Sequence, residues 1–163
     1  MDAPDEGYVS LFDAEFTHVR RTVYVLVGDA PTAEDITQDA FVQALLHWSR
    51  IARYDRPDAW VRRVAIRLAV RHLRRESRRE LIERTLEPAR SVGPPDPDLT
   101  DAIRGLPAKQ RAVLVLFYYE DRPMKEIAEL LGMSESTGFV HLHRARRRLG
   151  ESLGEWSPDV AGA

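Results

Sequence analysis

Five arginines, Arg63, Arg67, Arg71, Arg74 and Arg78, recur at spacings of 4, 4, 3 and 4. On a helix that spacing puts them on one face, where like charges at i, i+4 repel by roughly 0.2–0.5 kcal/mol per pair. Only Glu76 and Glu80 offer nearby compensation along the helix. A polyanion would supply the missing counter-charge, so the stripe points to nucleic-acid phosphates. The competing reading is a solvated face. A second basic cluster, His143, Arg144, Arg146, Arg147 and Arg148 around Ala145, lies towards the end of the segment 124–149. Arginines there would also suit the dipole of a helix C-terminus.

Catalytic chemistry has much less to stand on. His141 and His143 are two residues apart, hence on different helix faces, and lack the i, i+4 spacing of a metal-binding pair. His18, His47 and His72 are scattered, and neither a nucleophile motif nor a phosphate loop is visible. With no cysteine in the chain, disulfides and thiolate metal sites are excluded. The residues thus read as a binding protein without catalytic residues, metal or cofactor. The absence of cysteine and of any long apolar run or signal peptide fits a cytoplasmic protein that does not insert in a membrane.

The elements that would carry these residues are helical. Within 124–131, Ile127, Ala128, Leu130 and Leu131 form a short amphipathic pattern. Gly132 can take the left-handed conformation that ends a helix, and Ser134 can cap the next one. Leu142, Ala145 and Leu149 then define the inward face of a second helix. Two short helices joined by a glycine turn outline a helix-turn-helix, whose second helix enters the DNA major groove.

Upstream, Phe12, Phe16, Val19, Val23 and Leu26 mark a first helix that Gly28 stops. A second helix, from about Pro31 to Trp48, turns Ala33, Ile36, Ala40, Ala44 and Trp48 inward, with Asp35, Gln38, Asp39 and Val42 on the neighbouring face. After a loop at 49–56, Pro57 opens a third helix, 57–79, with Trp60, Val64, Leu68, Ala65 and Ala69 as its apolar seam. Residues 81–87 can extend it as helix, and Pro88, Gly93, Pro94, Pro95 and Pro97 then make a linker. Short helices at 98–105 and 108–119, the latter with the dense apolar run AVLVLFYY, precede the helix-turn-helix. The expected fold is all-α: two small helical domains joined by a Pro-rich linker, the second a helix-turn-helix of winged-helix-like type. A formal net charge of −2 conceals segregation, with arginine in 62–79 and 144–148 and acids in 2–15, 29–39, 96–101 and 120–135. Such segregation suits one surface for DNA and another for a basic protein partner.

The order of these parts resembles the extracytoplasmic-function (group IV) RNA polymerase sigma factors of the sigma-70 superfamily. GDAPTAEDITQDAFVQALLHW, RPDAWVRRVAIRLAVRHLRR, a proline-rich linker and LPAKQRAVLVLFYYEDRPMKEIAELLGMSEST followed by LHRARRRL carry the likeness over about residues 8–150. The resemblance implies a protein that binds core RNA polymerase and directs promoter-specific initiation. It assigns 8–80 to region 2, for polymerase binding, −10 recognition and melting, and 81–97 to a flexible linker. Residues 98–150 become region 4, for −35 recognition, and 151–163 a C-terminal tail.

By the same resemblance, the family's AED-x-x-Q-[DE]-x-F signature places Asp35, Gln38, Asp39, Phe41 and Val42 against the polymerase clamp helices. The −10 set becomes Arg53, Tyr54, Trp60, Arg63, Arg67, Arg71 and Arg74, with Tyr54 and Arg53 as candidates for holding an extruded base. The −35 set becomes Ser136, Thr137, Phe139, Val140, His143, Arg144 and Arg147. Partners implied are core polymerase, through clamp helices and flap, and promoter DNA; the resemblance allows an anti-sigma factor as well.

Several positions depart from the family pattern. Arg67 and Arg71 stand where Asn and Asp are common, and Gly138 stands where a buried valine is expected. Phe139 replaces a basic −35 contact; it could touch a thymine methyl or fill the space that Gly138 leaves. With such a space, Gly138→Val would stabilise the domain. Two other readings compete: a DNA-binding regulator that acts without polymerase, and a helical protein whose arginines contact RNA or an acidic partner. The first leaves the acidic face of the second helix without a role. The second wants aromatic platforms among the arginines, and the stripe has none.

Overall fold

The computed structural model describes residues 5–86 and 99–153. In order, the helices are α1 (Glu6–Val27), α2 (Ala30–Leu46), α3 (Trp48–Ile51), α4 (Pro57–Leu86), α5 (Leu99–Arg104), α6 (Ala108–Tyr118), α7 (Met124–Leu131) and α8 (Glu135–Leu153). No strand occurs among the described residues. The chain divides into two compact units, Met1–Arg71 and His72–Ala163, and the division falls inside α4.

In the first unit, Gly28 takes a φ of 75° and donates its N–H to Tyr24 O, which stops α1 as the sequence requires. Asp29 then caps α2, its carboxylate accepting from Thr32 N at 2.9 Å. The tight turn lays α2 back along α1. Ala33, Ile36, Ala40 and Ala44 are buried as expected, and Phe41 joins them between Phe12 and Phe16. Tyr8 locks the far end by donating to Phe41 O at 2.9 Å, with its ring edge-on to Trp48. The expected loop at 49–56 starts later, because Trp48–Ile51 makes one more helical turn and buries Ile51.

The buried face of α4 differs from the expected seam. Ala65 and Ala69 are buried, but with Val61, Ile66 and Val70, whereas Trp60, Val64 and Leu68 are half-buried at the edge. Apolar side chains cover a wide arc of this helix, so periodicity alone fits two adjacent seams. The structure chooses the seam that runs through Val61, Ala65, Ile66, Ala69 and Val70.

In the second unit, α6 and α7 both pack on α8. Ala112, Val113, Leu116, Ile127, Leu131, Leu142, Ala145 and Leu149 form its centre. The apolar run of α6 does not bury throughout: Tyr118 and Tyr119 are exposed, since the helix ends there and turns them outward. Residues 81–86 are the last of α4, so the first part of the expected linker is helix. The rest of the linker, and the tail beyond 153, lie outside the described residues.

Arg111 organises this unit and is only 2% exposed. Its Nη1 donates to Arg104 O at 2.9 Å and Leu106 O at 3.2 Å, while Nη2 lies 2.9 Å from each carboxylate oxygen of Glu76. A buried guanidinium is tolerated only when so paired, and removing one partner of such a pair costs about 3–5 kcal/mol. Glu76 therefore holds the end of α4 to α6 and does not compensate the arginine stripe as the sequence implies. Arg74 adds a second tie, donating from Nη2 to Leu130 O at 2.9 Å.

Candidate nucleic-acid and polymerase interfaces

On α2, Asp35, Gln38, Asp39 and Val42 are all exposed and lie along one side of the helix. No ion pair reaches Asp35 or Asp39 among the described residues, whereas the adjacent Glu34 pairs with Arg20 at 3.1 Å and accepts from Gln38 Nε2 at 3.3 Å. Two unneutralised carboxylates beside an apolar edge form a surface suited to a basic protein face. Leu45 and Leu46, absent from the sequence-based set, extend that edge from Val42 at i+3 and i+4. Their signal was available, since both fall outside the Ala33, Ile36, Ala40 and Ala44 stripe. Phe41 needs correcting: at 1% exposure it lies beneath this surface and supports it without offering a contact.

The stripe on α4 is exposed at every position, Arg63, Arg67, Arg71, Arg74 and Arg78. Arg63, Arg67 and Arg71 belong to the first unit and have no ion pair among the described residues. Arg62, one position from the stripe, is instead pinned to Glu15 at 3.2 Å. Arg74 and Arg78 fall in the second unit, and Arg74 is already engaged with Leu130 O. Trp60 is half-buried at the head of α4. Just before it, Arg56 grips Asp58 through two hydrogen bonds, 3.0 and 2.8 Å, and holds that carboxyl below the usual carboxylate range. The clasp fixes the start of α4, and buried Ile51 anchors the other side, so Arg53 and Tyr54 project between two fixed points.

The helix-turn-helix forms where the sequence places it. Gly132 has a φ of 66° and ends α7, and Ser134 Oγ accepts from Thr137 N at 3.2 Å to cap α8. Ser136, Thr137, Phe139, Val140, His143, Arg144 and Arg147 are all exposed on α8. Phe139 is 51% exposed, so it does not turn inward. Gly138 is buried as expected, yet no space lies beside it: a Cβ built there would stand 2.4 Å from Met124 Sδ. Met124, an adaptable thioether at the head of α7, occupies the volume that the family's valine would fill. A valine at 138 therefore enters no open space and requires the Met124 side chain to move. His141, half-buried between these features, has its imidazole pushed down in pKa by burial, with Lys109 and Arg144 adding repulsion.

The geometry is that of a two-part helical protein, with an unpaired acidic face in its first unit and a helix-turn-helix in its second. Comparison with known proteins narrows this. Residues 11–79 match Sigma-70 region 2 and residues 97–149 match Sigma-70, region 4. An RNA polymerase sigma-E factor of Streptomyces antibioticus is 36% identical over 138 residues, spanning 82% of this chain and 77% of that protein. The ECF RNA polymerase sigma factor SigL of Mycobacterium tuberculosis is 31% identical over 160 residues, 90% of this chain and 88% of its own. Among solved structures, the sigma factor RpoE of Bartonella quintana, crystallised with the anti-sigma factor NepR, shares the fold at a TM-score of 0.60. That match has 20% identity and covers 92% of this chain and 98% of the other.

The chain belongs to the sigma-70 family of RNA polymerase sigma factors, in its extracytoplasmic-function branch. It binds core RNA polymerase and directs transcription initiation from promoters whose elements it recognises.

Proposed function

We propose that the exposed residues divide this work between three surfaces. Asp35, Gln38, Asp39 and Val42, with Leu45 and Leu46, dock on the basic clamp helices of core polymerase. Arg63, Arg67 and Arg71 contact phosphates around the −10 element, joined by Arg74 when it leaves Leu130 O, and Trp60 abuts the duplex where it opens. Arg53 and Tyr54, held out between Ile51 and the Arg56–Asp58 clasp, take a base extruded from the non-template strand. The recognition helix α8 reads the −35 element through Ser136, Thr137, Phe139, Val140, His143, Arg144 and Arg147. Exposed Phe139 contacts a thymine methyl there. In functional terms 8–80 is region 2 and 98–150 region 4, region 4 also meeting the polymerase flap.

The observation that carries this reading is the pair of unneutralised carboxylates on α2, on a different helix from the cationic stripe of α4. A DNA-binding regulator acting alone has no use for such a face. The protein works in the cytoplasm and supplies no catalytic group; phosphodiester chemistry stays with core polymerase. An anti-sigma factor, the kind of partner seen with the Bartonella RpoE, would restrain it. Co-purification with bacterial core polymerase, followed by run-off transcription from a promoter library, tests the whole reading. Discrete transcripts are expected. Binding that only blocks transcription would replace it with a repressor.

A further inference from the structure

Beside the recognition helix the second unit contains a cleft of about 900 Å³, between the end of α4, the start of α6 and the outer flank of α8. Arg74 and Arg78 line it from α4, Lys109 from α6, and Arg144, Arg147 and Arg148 from α8. Against these six cations stands one lining carboxylate, Glu151, which lies 3.5 Å from Arg147 with both side chains exposed. No ion pair reaches Arg78, Lys109, Arg144 or Arg148 among the described residues.

The clustering is built. Glu76, the acid of α4 closest to hand, is withdrawn into the bidentate pair with Arg111, and Arg74 is tied to Leu130 O. Those two contacts bring Arg78 to the cleft and leave its charge uncompensated. His141 also lines the cleft; its buried Nδ1 has no hydrogen-bond partner, and burial first, then Lys109 and Arg144, oppose its protonation. A concave surface with this much unneutralised charge is stabilised by an anion of several charges, and arginine forks suit phosphate oxygens. The volume is that of a small-molecule site. A DNA duplex is too wide for it, and Ser136, Thr137, Phe139, Val140 and His143 do not line it.

We propose that this cleft binds a small polyphosphate anion, of the class of inorganic polyphosphate or a nucleoside polyphosphate. Arg144 and Arg147 belong both to the cleft and to the −35 set, so an occupied cleft competes with promoter DNA. That second step rests on the reading of α8 given under Proposed function; the binding step does not.

The test uses the full chain, with inorganic tripolyphosphate as probe at constant ionic strength and without divalent metal. Isothermal titration calorimetry should show saturable binding of one anion per chain. Lys109→Ala and Arg148→Ala, exposed positions on α6 and α8, should each weaken it about tenfold to a hundredfold. Lys125→Ala, on α7 and outside the cleft, should leave it unchanged. Non-saturable heat, or equal weakening by all three variants, would overturn the site. A promoter duplex recovered from the run-off selection should be displaced by tripolyphosphate, with Lys109→Ala requiring about ten times more. Lys109-dependent binding without displacement would uphold the site and remove Arg144 and Arg147 from the −35 contacts.

Discussion

Gly138 offers the sharpest test of how the helix-turn-helix is packed. Replacing it with valine removes a helix-interior glycine; that gains about 0.5–1 kcal/mol for alanine and only about a few tenths for β-branched valine. Against that, the new Cβ would stand 2.4 Å from Met124 Sδ, 3.4 Å from its Cγ and 3.6 Å from its Cε. Carbon and sulfur atoms pack at about 3.5–4 Å or more, so the thioether must retreat by roughly 1 Å or more. Met124 is buried, so its side chain must move within a packed interior. Overpacking of this kind costs about 1–3 kcal/mol. The net expectation is a loss of about 0.5–2 kcal/mol, hence a melting transition of the second unit lower by several degrees. Met124→Ala by itself should cost about 2–5 kcal/mol through the cavity it leaves. The double variant should recover part of that loss, because valine then enters the vacated volume, with a favourable coupling of about 1–3 kcal/mol. Guanidinium denaturation followed by circular dichroism measures all four proteins. A Gly138→Val protein more stable than the parent would refute this packing, as would strictly additive single and double variants.

Asp35→Arg combined with Asp39→Arg should abolish association with core polymerase while circular dichroism stays unchanged, since both positions are exposed; retained co-purification would remove α2 as the docking face. Neutralising Arg63, Arg67 or Arg71 singly should lower the slope of log K against log salt for promoter binding by roughly 1 each, and slopes that stay put would return them to a solvated face. His141 makes the fold sensitive to mild acid. Its folded pKa is depressed below the unfolded value of 6.5, chiefly by burial, so the unfolded chain takes up the proton first. Stability present above about pH 6.5 should therefore fall as pH drops through the folded pKa, and His141→Gln should flatten melting temperature against pH below about 6.5; a parental profile already flat there would contradict the burial.

Much of this architecture is legible in the residues alone. Gly28, Gly132 and Ser134 set helix ends by local backbone chemistry, and a local cause can be read from a local pattern. The arginine stripe and the carboxylates of α2 are likewise visible, because helical spacing puts them outward whatever else packs nearby. Four matters needed the tertiary structure. Periodicity could not choose between two seams on α4, and packing in the folded unit decided for Val61, Ile66 and Val70 beside Ala65 and Ala69. Phe41 shares a helix with Asp39 and Val42, but only the ring cluster of Phe12 and Phe16 shows that it is sunk beneath them. The volume beside Gly138 belongs to Met124, fourteen positions earlier in the chain, and Glu76 belongs to Arg111, thirty-five positions later. A sequence states which side chains exist at which spacing along one helix. Which of them meet across helices depends on how closely two backbones approach, and that is a property of the packed chain.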